Sequence, residues 1–171
     1  INYPSSTDSV YVLHDVDIVA TNSGNNFLFE GYLNIAPGVK LQCEVGDSND
    51  GLLLDNTAVV HLYGTLYTAK AGDVPATASP GAVEFTSSGN STFIAFSGSF
   101  LFVADDWEIE ENAVIYIEDN VCLRVDDDVN FDGTGWTMCG DGDISIGGDG
   151  AGSNVSFASG SSSAQICSGT S

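Results

Sequence analysis

Residues 33–43 read LNIAPGVKLQC, with apolar side chains at alternate positions on either side of a Pro-Gly turn. Alternation with period two marks a strand with one buried face, and Pro-Gly sets a tight reversal between two such strands. Two further stretches superimpose on it without gaps: residues 52–62, LLLDNTAVVHL, and residues 107–117, WEIEENAVIYI. In that register Leu33, Leu52 and Trp107 align, as do Ile35, Leu54 and Ile109, then Val39, Ala58 and Ala113, and finally Leu41, Val60 and Ile115. Strand, turn and strand describe one corner of a solenoid coil whose inward side chains form ladders. The first two copies stand 19 residues apart and the third follows 55 residues later, so a period near 19 divides the chain between them into about three coils.

Working outward, short alternating segments recur at Val10-Tyr11-Val12-Leu13, Ala82-Val83-Glu84-Phe85 and Phe100-Leu101-Phe102-Val103. Val121, Leu123 and Val125 alternate again, followed by the pairs Trp136 and Met138, Ile144 and Ile146, and Val155 and Phe157. The stretch from Lys70 to Pro80 reads as a protruding loop, and no segment has helical periodicity. The expected fold is all-β: a single-domain parallel β-helix, or solenoid, of short coils over residues 1–171. Residues 1–9 form a polar N-terminal segment and residues 158–171 a Ser/Gly-rich tail. The alternative is a β-sandwich in which the alternation of the three segments is coincidental.

The pattern from Leu33 to Leu41, followed by Gly64-Thr65-Leu66-Tyr67 and by Ala82 to Ser87, resembles extracellular right-handed parallel β-helix proteins of pectate-lyase-like architecture, in particular the non-enzymatic surface proteins of bacteria. The resemblance covers the middle third of the chain and its motifs are architectural. It implies a fold and an exterior location rather than an activity.

Charge narrows the partners. Against 24 acidic residues stand only Lys40, Lys70 and Arg124, a formal charge of −21 over 171 residues. Such a chain repels phosphate backbones and anionic lipid, which excludes nucleic-acid and membrane-surface partners. Self-repulsion of that size calls for salt or divalent cations in the working environment. The apolar content of 43% is too high for a disordered acidic tail, and no apolar run is long enough to cross a bilayer. Ile1-Asn2-Tyr3-Pro4 has neither an initiator Met nor a signal-peptide pattern and reads as a mature, processed end.

Cys43, Cys122, Cys139 and Cys167 lack CxxC spacing and nearby His, which argues against zinc or redox chemistry and for disulfides in an oxidising, extracellular setting. Three arrangements stay open: Cys122 with Cys139 on adjacent coils, Cys139 with Cys167 closing the tail, and Cys43 with Cys167 between successive subunits. The sequons at Asn90 and Asn154 are glycosylation candidates compatible with export.

No catalytic residues are assigned. Polysaccharide lyases on the resembled fold use Lys or Arg beside calcium-binding carboxylates, and Arg124, the one arginine, lies between Leu123 and Val125 in a strand. Carboxylate pairs such as Asp105-Asp106, Glu110-Glu111 and Glu118-Asp119 are too numerous for any one to stand out as a hydrolase pair. His14 and His61 are far apart with no nucleophile motif beside them, and His61, between Val60 and Leu62, is expected to face outward.

Calcium is the one ion the sequence makes room for, although no cofactor is required. Asp126, Asp127 and Asp128 follow a strand at an expected coil corner, and Asp141, Asp143 and Asp149 lie in a Gly/Asp-rich stretch. That stretch resembles the calcium β-roll repeat but departs from it at Ile144 and Gly152. Carboxylates stacked on coils about 4.8 Å apart repel by roughly 0.9 kcal/mol even in bulk water, which favours bridging cations over one designed site.

The expected function is that of a secreted structural subunit. A strand beginning at Val10 leaves an uncovered edge, and such edges template head-to-tail assembly into a cell-surface filament or matrix, by end-stacking or strand donation. The alternative is a calcium-dependent or carbohydrate-binding adhesion module, with Tyr63, Tyr67, Trp107 or Trp136 as sugar-stacking aromatics.

Overall fold

The structure is a computed structural model that describes residues 4–20, 27–45, 51–55, 57–68, 85–104, 106–125, 128–132, 134–141, 143–146, 155–157 and 165–168. Its strands follow one another in coils of three: β1 (Ser9–Val12), β2 (Val16–Ala20) and β3 (Phe27–Phe29), then β4 (Tyr32–Ile35), β5 (Lys40–Val45) and β6 (Leu52–Leu54). The next coils are β7 (Val59–Leu62), β8 (Thr65–Thr68) and β9 (Phe85–Ser87), then β10 (Thr92–Ala95), β11 (Phe100–Val103) and β12 (Trp107–Ile109). The last are β13 (Val114–Ile117), β14 (Cys122–Val125) and β15 (Val129–Phe131), β16 (Thr137–Gly140), β17 (Asp143–Ile146) and β18 (Val155–Phe157), with β19 (Gln165–Ser168) opening one more.

Each strand of a coil joins a different sheet. Sheet A runs β1-β4-β7-β10-β13-β16-β19, sheet B β2-β5-β8-β11-β14-β17 and sheet C β3-β6-β9-β12-β15-β18. Every pairing is parallel, from β1 with β4 to β16 with β19. The chain is therefore an all-β, single-domain parallel solenoid, and the sandwich alternative, which needs antiparallel neighbours, is excluded. Strand β19 lies within the Ser/Gly-rich residues 158–171 and pairs with β16.

Parallel register fixes the core. Leu41, Leu66, Leu101 and Leu123 stand on successive strands of sheet B, and Leu33, Val60, Phe93, Ile115 and Met138 do so in sheet A. All nine are buried. Burying each such side chain contributes roughly 1.5–3 kcal/mol, so the ladders and not the short strands themselves hold the coils together. Phe93 meets Trp107 edge-on across the interior, with ring centroids 6.1 Å apart.

Two of the three corners are tight turns. Between sheets A and B, the amides of Val39 and Ser99 donate to the carbonyls of Ala36 and Phe96. Gly38, Gly98 and Asn120 take the left-handed conformation at the third position of these turns, at φ 72°, 82° and 58°. Such backbone suits Gly and Asn, and for that reason Pro37-Gly38 signalled a corner. Between sheets C and A, the amides of Ala58, Ser91 and Ala113 donate to Asp55, Ser88 and Glu110. The passage from sheet B to sheet C is irregular in length, from residues 104–106 between β11 and β12 to residues 69–84 between β8 and β9. The loop expected from Lys70 to Pro80 falls in this last interval, outside the described residues.

The register revises the expected ladders. Residues 33–43 turn from sheet A into sheet B, whereas residues 52–62 and 107–117 turn from sheet C into sheet A. Leu33 accordingly stacks between Val10 and Val60, not on Leu52, while Leu52 and Trp107 do share a column, with Phe85 between them. The 19-residue spacing measured the distance between two kinds of corner. A full circuit takes 22 residues from Phe93 to Ile115 and from Leu101 to Leu123, and 21 where it is shortest, from Leu123 to Ile144.

Ser91 occupies the buried corner column between Ala58 and Ala113, and its hydroxyl has no hydrogen-bond partner among the described residues. Replacing it with the alanine found above and below is expected to raise unfolding free energy by ~1 kcal/mol, because an unsatisfied donor is removed without opening space. Phe93→Ala is expected to lower it by ~3–5 kcal/mol through the cavity it leaves. Urea denaturation of both variants measures the two effects.

Candidate functional site

Three surfaces of the prism carry groups beyond those needed for folding. The first is the outer face of sheet A, where strand alternation turns two columns outward. One reads Ser9, Tyr32, Val59, Thr92, Val114 and Thr137, the other Tyr11, Asn34, His61, Ile94, Tyr116 and Cys139. Their exposed or half-buried state alternates with the buried inward residues of the same strands. None of the twelve is an acid or a permanent cation.

Rings gather at the N-terminal half of this face. Tyr11 lies 5.8 Å from Tyr32, Tyr32 lies 5.1 Å from His61, and His61 lies 5.3 Å from Phe96, centroid to centroid. Tyr63 and Phe96, one coil apart just past the strand ends, stack at 4.1 Å with planes 9° apart. The Tyr32 hydroxyl stands 3.0 Å from His61 Nδ1 and accepts from Asn34 Nδ2 at 3.2 Å. Desolvation by burial holds His61 below its ordinary pKa, so the imidazole is neutral at neutral pH.

The second surface is the corner between sheets C and A. The residue following each sheet C strand falls in one column: Glu30, Asp55, Ser88, Glu110 and Asp132. Asp55, Ser88, Glu110, Glu111, Asn112 and Asp132 line a cleft of about 460 Å³. Ser88 Oγ donates to Asp55 Oδ1 at 3.2 Å and to the Leu54 carbonyl at 3.3 Å. Burial raises the Glu110 carboxyl above its ordinary pKa, reinforced by the charges of Asp132, Asp55 and Glu111.

The third is the N-terminal end of the coil. Strands β1, β2 and β3 stand at the ends of their sheets. Their inward residues Val10, Val12, Val16, Ile18, Phe27 and Phe29 line an apolar cavity of about 290 Å³. At the rim Tyr11 is 59% exposed, Leu13 70% and Ile18 37%.

The residues singled out from the sequence scatter over these surfaces. Asp128 is half-buried between β14 and β15, its amide donating to Asp106 Oδ1 at 3.0 Å, and Asp141 is exposed after β16. Asp126, Asp127 and Asp149 lie outside the described residues, as does the side chain of Asp143, which begins β17. No group of three or more His, Cys, Asp or Glu close enough to hold a metal occurs among the described residues. Asn90 is exposed on the turn between β9 and β10, and Asn154 lies outside the described residues.

Cys43 is buried in the core at 1% exposure, and desolvation pushes its thiol up to about 12. Cys122 is an exposed free thiol, and Cys139 in β16 is the register partner of Cys167 in β19. Of the four proposed sugar-stacking aromatics, Trp107, Trp136 and Tyr67 are buried. Tyr67 instead stacks on Phe102 at 4.6 Å, outside sheet B, with Arg124 5.5 Å above the Phe102 ring. Tyr63 alone belongs to the outer ring cluster. His61 faces outward, as its neighbours Val60 and Leu62 required.

The acidic column has a consequence for pH. A raised carboxyl pKa means that the folded state holds the proton more tightly, so the stabilising contribution is complete below the unfolded value and lost as pH rises through the folded one. Glu110→Gln is expected to raise the melting temperature at about pH 7, with the gain shrinking toward about pH 4. A gain equal at both pH values would refute the assignment. Comparison with protein families, with curated proteins and with solved structures finds no match to the chain.

Proposed function

We propose that this chain is an extracellular structural subunit that stacks end to end through its open coil edges, in the manner of non-enzymatic β-helix surface proteins, and has no catalytic role. The observation that carries the reading is the apolar mouth ringed by β1, β2 and β3. Among the described residues β1, β2 and β3 have a strand partner on one side only, and an edge of that kind presents rows of N–H and C=O groups, here around exposed apolar side chains. Another coil set on this end would extend all three sheets and bury Leu13, Ile18 and Tyr11 together. Calcium or salt offsets the repulsion between subunits of charge −21, with Asp126, Asp127, Asp128, Asp141, Asp143 and Asp149 as candidate bridging ligands. A Cys139–Cys167 disulfide would fasten β19 to β16, since directly paired positions on neighbouring strands lie at bridging distance.

Strand order constrains how the stack is made. Among the described residues sheet A runs to β19, one strand beyond the coil that supplies β17 to sheet B and β18 to sheet C. With sheets superposed, β1 of the next subunit would meet β19, but β2 and β3 would each lack a strand beneath them. Rotated by one face, about a third of a turn, β1 would pair with β17, β2 with β18 and β3 with β19, so that each of these described end strands gains a partner.

Negative-stain microscopy with calcium and then chelator tests the assembly, and filaments that dissolve on chelation are expected. Cross-linking tests the rotation in a Cys122→Ser background. Tyr11→Cys with Ser145→Cys is expected to link subunits through β1 and β17, whereas Ser9→Cys with Gln165→Cys is not. Linkage through the second pair alone would discard the rotation and keep the stacking. Monomers under all conditions would discard both.

A further inference from the structure

We infer that the outer face of sheet A binds an uncharged polysaccharide chain, held along the ring cluster of Tyr32, His61, Tyr63 and Phe96. The inference is independent of end-stacking, which uses the strand edges rather than this face. Its first support is charge. In a chain with 24 acids and 3 bases, twelve outward positions on successive strands carry neither, and burial keeps His61 in its neutral form. A cationic partner would be drawn to the carboxylate column of the sheet C corner, and an anionic one would be repelled by the whole molecule.

The donor set points the same way. Sugars present apolar C–H faces and hydroxyl groups at once, and amphipathic rings beside fixed amide and imidazole groups satisfy both. Here Tyr32 supplies a hydroxyl already oriented between Asn34 Nδ2 at 3.2 Å and His61 Nδ1 at 3.0 Å. The rings of Tyr32, His61, Phe96 and Tyr63 follow one another from coil to coil along the axis at centroid spacings of 4.1 to 5.3 Å, a row and not a pocket. Small ligands are generally held in concave sites, so an open row suits a polymer that makes the same contacts repeatedly.

Sedimentation with insoluble cellulose, β-1,3-glucan and chitin, against soluble alginate and polygalacturonate in affinity gels, tests the inference on the 171-residue chain. Retention by at least one uncharged polymer is expected, with none by the anionic two. Tyr63→Ala is expected to weaken retention about tenfold, and Tyr32→Phe, which keeps the ring and the fold but removes the oriented hydroxyl, by a few-fold. Glu108→Gln on sheet C should leave retention unchanged. The inference is overturned if no uncharged polymer is retained, if only anionic polymers are, or if both sheet A variants bind as the parent does. It is equally overturned if those variants change the sedimentation coefficient of the free protein, which would make the face a contact between copies.

Discussion

Parallel strands in register place each side chain directly above its counterpart in the preceding coil, and every other property of this molecule depends on that stacking. Within the prism the packing partners of Leu101 are Leu66 and Leu123, so a residue is judged against its column more than against its neighbours in sequence. The sheet B column of leucines repeats one shape. The sheet A column accommodates Val60, Phe93 and Ile115, and the larger ring of Phe93 reaches across to Trp107 while Ala95, the next inward residue of its strand, is small. Nothing local stabilises strands of three or four residues; they persist because the columns above and below are filled.

The same rule acts on charge with the opposite sign. Stacking like on like is favourable for leucine and unfavourable for carboxylate, yet the corner after sheet C repeats acids at Glu30, Asp55, Glu110 and Asp132, interrupted by Ser88. Exposure moderates the repulsion, and Glu110, the member with three acidic neighbours, responds by holding its proton more tightly. Sheet A has no such load. The prism therefore has a strongly acidic edge and a sheet A face whose strand positions carry no charge, bordered past the strand ends by Tyr63, Phe96 and Glu118, a division that net charge alone conceals.

Much of this was legible in the sequence. Period-two alternation located the strands, as at Phe100–Val103, and Pro37-Gly38 and Glu110 to Asn112 located corners, because the left-handed backbone at Gly38 and Asn112 restricts which residues can stand there. What alternation could not convey was which corner each one was. The A-to-B and C-to-A turns share the pattern of an inward residue, three residues and another residue packed on the core, so residues 33–43 matched residues 52–62 although they belong to different sheets. The ring cluster was hidden for a related reason: Tyr11, Tyr32, His61 and Phe96 are 21 to 35 residues apart and meet only once the true circuit is known. Trp107 and Trp136 looked like binding aromatics by type, and their columns turn them inward.

Of the prism's three edges, two hold short hydrogen-bonded turns closing at Val39 and Ser99 and at Ala58, Ser91 and Ala113, while the third, from sheet B to sheet C, accepts anything from the three residues between β11 and β12 to the sixteen between β8 and β9. Closing a loop of twice the length adds only about 0.6 kcal/mol, so additions along this edge leave the ladders almost untouched. The edge is in effect a permissive seam running the length of the molecule. Foreign peptides grafted there would be presented in a line, one per coil.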